Sequence, residues 1–224
     1  MNVYISSCAA ISPATHPGKP LSANALLCAD PDLSAFFEPK LTRRMSHVIK
    51  MGIGAAMEAV QLAGISKPDV IITGTAYGCL DDTEVFLKKL VQQQETMLTP
   101  TAFIQSTHNT VGGQIGLLLK ANCYNNTIVH RGFSFEQALQ DAMMMIQEGE
   151  AAHALVGGVD ELTTTSHRLL ERLGLFKPAS DPESPQGTID GEGAGFFVLS
   201  SQASENTTCI LKDIATFLKP KQED

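Results

Sequence analysis

The residues able to do chemistry are few, and the sharpest arrangement of them is His130-Arg131-Gly132-Phe133-Ser134. It lies between a short β-branched run, Thr127-Ile128-Val129, and a stripe of apolar residues at helical spacing. A strand, a tight turn and a helix in that order expose the turn residue. They also set it at a helix N-terminus, where negative charge is stabilised. A nucleophile belongs in such a turn, yet no serine or cysteine stands at its apex. Ser134 sits three residues before Gln137 and is expected to cap the helix in a capping box, without chemistry of its own. His130, at the mouth of the turn, is the candidate acid–base group. His108, beside Asn109, is a second.

The other reactive residues do not cluster. His16, His47, His153 and His167 show no ligand spacing. The five cysteines, Cys8, Cys28, Cys79, Cys123 and Cys209, are scattered and form no CxxC pair. Neither a disulfide scaffold nor a zinc site is expected, and no metal or cofactor is implied. Cys79 follows a strand and is a conceivable reactive thiol, but its loop has no basic neighbour to lower its pKa. The run Gly191 to Gly195, GEGAG, invites a phosphate-loop reading. That reading requires a helix after the glycines, and FFVLS reads as a strand. The glycines then serve close backbone crossing. Asp81-Asp82 is expected to cap a helix, and Met143 to Met145 to fill core and interface.

The elements that must position these residues alternate. Val3 to Ile11 reads as a first strand, followed by a long irregular excursion over 13–39. Arg43 to Ala63 has one apolar face of mostly small residues and is stopped by Gly64. Asp69 to Thr75 is a continuous apolar run of the kind buried on both sides of a parallel sheet. One helix runs from Asp81 or Asp82 to about Gln94, another from Ala102 to about Lys120. The central helix ends at Gly149, a suitable residue just past a helix C-terminus. Ala154-Leu155-Val156 begins a buried strand. Ser166 to Gly174 reads as a short capped helix, and Phe176 to Pro185 as a loop. Strands at Phe196 and from Cys209 to about Phe217 flank the turn-prone SENT, which predicts an antiparallel hairpin. The whole is an α/β domain with a mixed, mostly parallel five-stranded sheet and helices on both faces.

The chain has 224 residues, 43% of them hydrophobic and 18% charged, with a formal charge of −8. That composition suits one soluble domain over 1–224. No apolar run approaches the ~20 residues of a membrane span, and the N-terminus lacks a basic signal region. The negative charge disfavours nucleic acid. Scattered cysteines fit a reducing cytoplasm.

Taken together, several segments resemble the N-terminal half of β-ketoacyl synthases, in the thiolase superfamily. TRRMSHVIKMGIGAAMEAVQLAGI is similar to that family's first long helix, and PDVIITGTAYGCLDDTEVF to its second strand and following loop. TPTAFIQSTHNTVGGQIGLLL is similar to the segment ahead of the active site. IQEGEAAHALVGGVDE and TIDGEGAGFFVLS resemble its GGxE strand and GEGAG motif. In the family the turn before the central helix carries the acyl-accepting cysteine. An ungapped count from Gly149 sets that position on Gly132, and a one-residue shift offers Arg131 or Phe133. A second half, which carries two histidines, is not represented in these residues.

The resemblance therefore implies a thiolase-like half without the Cys-His-His set. It is similar to chain-length-factor proteins and to the short proteins of aryl-polyene, flexirubin-type or fatty-acid assembly. The expected role is a non-catalytic ketosynthase-like subunit, oligomeric with itself or with a ketosynthase. Thr127, Ile128, Val129, His130 and Asn109 are the expected interface, and an acyl carrier protein is a further expected partner. The alternative is an acyl-thioester transferase acting through His130 and the Gly132 backbone, with Gly132, Phe133 and Ser134 against the substrate.

Overall fold

The computed structural model describes residues 2–19, 25–96, 98–177, 183 and 187–217. Most of the Phe176 to Pro185 loop and the charged tail lie outside these residues. In chain order the elements are β1 (Val3–Ile11), β2 (Ala25–Leu26), α1 (Pro39–Thr42), α2 (His47–Ala63) and β3 (Val70–Thr75). Next come α3 (Leu80–Gln92), α4 (Pro100–Gln105), α5 (Thr110–Leu118), β4 (Tyr124–Val129) and α6 (Ser134–Gln147). The chain continues with β5 (His153–Asp160), α7 (Thr164–Arg172), β6 (Asp190–Gly191), β7 (Gly193–Ser200) and β8 (Cys209–Leu211).

The central sheet has six strands in the order β4-β3-β5-β7-β1-β8. β3 is parallel to both β4 and β5, while β7 is antiparallel to β5 and β1, and β8 to β1. Four strands thus run one way, with β7 and β8 opposed. The sixth strand is one more than the expected five. β2 and β6 form a small parallel pair beside the sheet.

β3 sits between two strands, and all six of its residues are buried. Its side chains alternate between two cores, as strand geometry requires. Ile71 faces the core built by α2 and α5, while Val70 and Ile72 face the one built by Ala138, Ala142 and Ile146 of α6. α2 lies close to its neighbours because of its small residues. A side chain at Gly52 would come within 2.4 Å of Val111 on α5. Gly64 ends α2 in the left-handed conformation, φ 71°, and Gly149 follows α6 at φ 80°, the geometry that favours glycine there.

Local chemistry corrects five sequence expectations. α2 begins at His47, after the separate turn α1, and not at Arg43. The helix expected over 102–120 is broken into α4 and α5. Ser106 Oγ bonds the Phe103 carbonyl (2.8 Å), while Thr107 Oγ1 and Thr110 Oγ1 bond that of Ile104 (3.0 and 2.6 Å). Hydroxyls that capture carbonyls in this way compete with helix continuation. The SENT turn does form, with Thr207 N–H donating to the Ser204 carbonyl. β7 and β8 nevertheless make no hairpin, because β1 lies between them, and the last strand stops at Leu211. Finally, no aspartate caps α3. Cys79 is the N-cap residue, and a carboxylate from elsewhere, Glu161, receives the Asp81 N–H at 3.0 Å.

Among the described residues, no helix is long and apolar enough to cross a membrane.

Candidate functional site

Parallel strands bring their carboxyl ends to one rim of a sheet, where ligands gather. Here β3, β4 and β5 end together. The chain leaving β4 turns sharply through Arg131–Phe133, a 3-10 turn, into α6. Gly74, near the end of β3, lies under this elbow: a side chain there would come within 2.8 Å of the Ser134 and Phe135 backbone. The rim holds a cavity of about 370 Å3, walled by Gly74, Ala76, Arg131, Gly132, Phe135 and Asp160 among others.

The strained residue of the elbow is Arg131, at φ 50°; Gly132 is not left-handed. A non-glycine residue in that region costs about 1–2 kcal/mol and is held by its surroundings. The apex is thus Arg131, the alternative reached by shifting the count one residue. An added side chain at Gly132 meets nothing within 4 Å. The expected capping box at Ser134 is absent. Phe133 is the N-cap residue. The buried Ser134 hydroxyl instead accepts from the His130 N–H (2.8 Å) and donates to the Arg131 carbonyl (2.9 Å), bracing the turn. The Phe133 N–H is taken by the His130 carbonyl at 3.3 Å.

His130 is exposed, its ring 6.1 Å from that of Phe133, and it does not line the cavity. His108 and Asn109 are exposed in the break between α4 and α5. None of the five cysteines reaches the cavity wall. Cys79 is buried, and that burial, with Glu161 and Asp82 nearby, pushes its thiol up to about 12. Burial and then Glu192 push Cys28 up to about 11. Neither is a nucleophile near neutral pH. Thr127 and Ile128 are half-buried and Val129 is exposed, on β4 at the sheet edge.

Two carboxylates shape the rim and were not singled out by sequence reasoning. Asp160 ends β5. Its Oδ1 accepts from Thr75 Oγ1 and the Ala76 N–H, both at 2.8 Å, and so holds the loop after β3. Burial raises its pKa, and these hydrogen bonds only partly offset that. Glu161, the next residue, holds the start of α3. The signal for both was the pair of acids ending a buried strand.

Glu192 was also missed, because GEGAG drew attention to its glycines. Its buried carboxylate accepts from His47 Nε2 (2.9 Å), Cys28 N–H (2.8 Å) and Leu162 N–H (3.0 Å). His47 Nδ1 bonds Asp30 at 2.6 Å, and Lys50 Nζ bonds the other Asp30 oxygen at 2.6 Å. This network ties the excursion after β1 to α2, β7 and the exit of β5. It is structural and lies apart from the cavity wall.

Residues 13–205 match the family described as Beta-ketoacyl synthase, N-terminal domain. No curated protein matches the sequence. Solved structures do resemble the fold. One is a ketosynthase (ApeO) in complex with its chain length factor (ApeC) from Xenorhabdus doucetiae, at 20% identity and TM-score 0.63, over 91% of this chain and 80% of that one. Another is the ishigamide ketosynthase/chain length factor, at 17% identity and TM-score 0.71, over 92% and 64%. A third is a beta-ketoacyl synthase from Burkholderia phymatum STM815, at 20% identity and TM-score 0.69, over 89% and 59%. The chain therefore spans less than two thirds of the latter two. With the family match across most of its length and the thiolase-like sheet and elbow in place, the chain belongs to the beta-ketoacyl synthase N-terminal domain family.

Proposed function

We propose that this chain is a non-catalytic, chain-length-factor-like partner of a ketosynthase in the assembly of an acyl or polyketide chain. The observation that carries this reading is the elbow. Its apex is Arg131, and the cavity behind it is walled by neither thiol nor imidazole. Acyl transfer through a thioester needs a nucleophile with a base in reach, and a guanidinium is neither. In the competing reading, a transferase acting through His130 and the Gly132 backbone, His130 would have to turn in from outside the cavity.

The pairing surface in this reading is the outer edge of β4, with His130 and Asn109 beside it. Among the described residues no strand covers that edge, and unpaired N–H and C=O groups there are a template for another strand. The substrate would arrive on an acyl carrier protein and be elongated at the partner's nucleophile. The test is co-expression with candidate ketosynthases, followed by size-exclusion chromatography and light scattering. The expected result is a stable complex that dissociates when the exposed Val129 is changed to Asp, which sets a charge on the edge strand. A monomer that binds no ketosynthase overturns the reading.

A further inference from the structure

Helices α3 and α4, within residues 80–105, are held differently from the rest of the fold. α3 is 13 residues long and buries none of them. Leu87 and Val91 of α3 are exposed, as are Phe103 and Ile104 of α4. The two helices pack on each other, with the rings of Phe86 and Phe103 5.6 Å apart. Their ties to the body are polar. The Asp81 N–H donates to Glu161 Oε1 (3.0 Å), Thr165 Oγ1 to Glu84 Oε1 (2.8 Å) and Gln105 Nε2 to the Arg44 carbonyl (2.7 Å). A gap of about 300 Å3 separates α3 from α7, walled by Leu80, Leu87 and Leu169. An element with so little buried apolar surface opens at low free energy.

The tie at the root of α3 is charged on both sides. Asp81 and Asp82 face Glu161 from α3, and Asp160 precedes it on its own strand. The Cys79 thiol lies among them. His47, at the start of α2, is the cation that acts on Glu161, and it is already bonded to Asp30 and Glu192. Asp82 is half-buried, and its pKa is raised by burial against the relief given by the neighbouring Ser46 hydroxyl.

We propose that α3 and α4 form a hinged arm, clasped at its root by protonated Glu161, and that loss of this proton releases the arm. A neutral carboxyl still accepts the Asp81 N–H through its carbonyl oxygen and brings no charge against Asp81 and Asp82. The ionised form confronts both. Burial, and then the charges of Asp81 and Asp82 against the relief from the Asp81 N–H and His47, push Glu161 up from 4.5 to about 7. In the open arm, water returns it to the ordinary range. A pKa higher in the closed state makes closure strongest at low pH. The opening constant then rises by up to about tenfold per pH unit between 4.5 and about 7, and levels above that. Asp160 holds Ala76 in the loop that leads to α3, so release of the arm loosens one wall of the cavity.

Hydrogen exchange of α3 and α4, corrected for the intrinsic pH dependence of exchange, tests this between about pH 4.5 and about pH 6, below the range in which His47 loses its contribution. In the wild type the arm is expected to be far less protected than α2 and β3 at every pH, and its protection to fall across that range. Glu161→Gln keeps the acceptor oxygen without the charge and is expected to stay protected throughout. Asp82→Asn is expected to narrow the fall. The proposal is overturned if wild-type protection of the arm does not change with pH, if the arm is as protected as the core throughout, or if Glu161→Gln behaves as the wild type does. Should Glu161→Gln not fold, Asp82→Asn decides: a fall of unchanged size rejects the clasp.

Discussion

Gly157→Ala is expected to destabilise the protein by about 3 kcal/mol or more, at the upper end of what overpacking a core costs. Gly157 lies in the middle of β5, paired with Thr73 on β3 and Phe196 on β7. A methyl group there would stand 2.4 Å from the Gly195 carbonyl oxygen and 2.4 Å from the ring of Phe196. The oxygen belongs to the backbone of β7 and yields only if the ladder shifts. The Phe196 ring is fully buried, so it can move only by displacing close-packed neighbours. Relief therefore requires the two central strands to part. Gly132→Ala is the control, because its methyl group meets nothing within 4 Å, and it should change stability by less than about 0.5 kcal/mol. Urea unfolding followed by circular dichroism separates the two. Equal midpoints would contradict the close β5–β7 crossing.

Glu192→Ala is the second large effect. Its carboxylate satisfies three donors in a buried site, one of them His47. Truncation leaves two backbone N–H groups and a cationic ring facing a void, an expected loss of about 3 kcal/mol. The same network sets a pH window. The hydrogen bond to Glu192, against the opposing effect of burial and with further help from Asp30, raises His47 from 6.5 to about 9. A group whose pKa is raised by folding contributes fully below 6.5, and that contribution is lost as pH climbs through about 9. Glu192 and Asp30 have the opposite sign. Burial pushes both up, but the bonds from His47, joined by backbone N–H groups at Glu192 and by Lys50 at Asp30, bring both below their ordinary values. Their contribution is complete above the usual carboxylate range and is lost on acidification. The wild type should lose stability from about pH 6 to about pH 9.5, and Glu192→Ala should lose less over the same interval. Parallel curves for the two proteins would show that His47 does not titrate against Glu192.

Much of this fold was legible in the sequence, for identifiable reasons. The run Val70–Thr75 read as a strand covered on both faces, because Val70, Ile71 and Ile72 make both faces apolar at its start. Gly64 and Gly149 stood just past their helices and are left-handed there. Other features depended on contacts that no local pattern encodes. The turn chemistry of SENT was readable. The choice of β1 as the partner of β8, in place of β7, was not, since it is decided by the free edge of a strand some 200 residues earlier in the chain. Helical periodicity ran straight across residues 106–109, while a chain of hydroxyls broke the helix. At the elbow, counting back from Gly149 assumed an uninterrupted helix. A 3-10 turn braced by Ser134 intervenes, and the strain falls on Arg131 in place of Gly132. Glu192 lay hidden among glycines that the eye takes for a phosphate loop. Its charge inside a strand-like run, with a histidine opening a distant helix, was the available sign.

In the proposed role Arg131 stands where a synthase carries its reacting thiol, and no other group of this chain takes the acyl chain. Intact mass spectrometry after incubation with acyl- and malonyl-loaded carrier protein, alone and with a ketosynthase, tests it most directly. The expected result is an unchanged mass for this chain in both mixtures, with any acyl adduct on the ketosynthase. An acyl adduct on this chain that survives denaturation would contradict it.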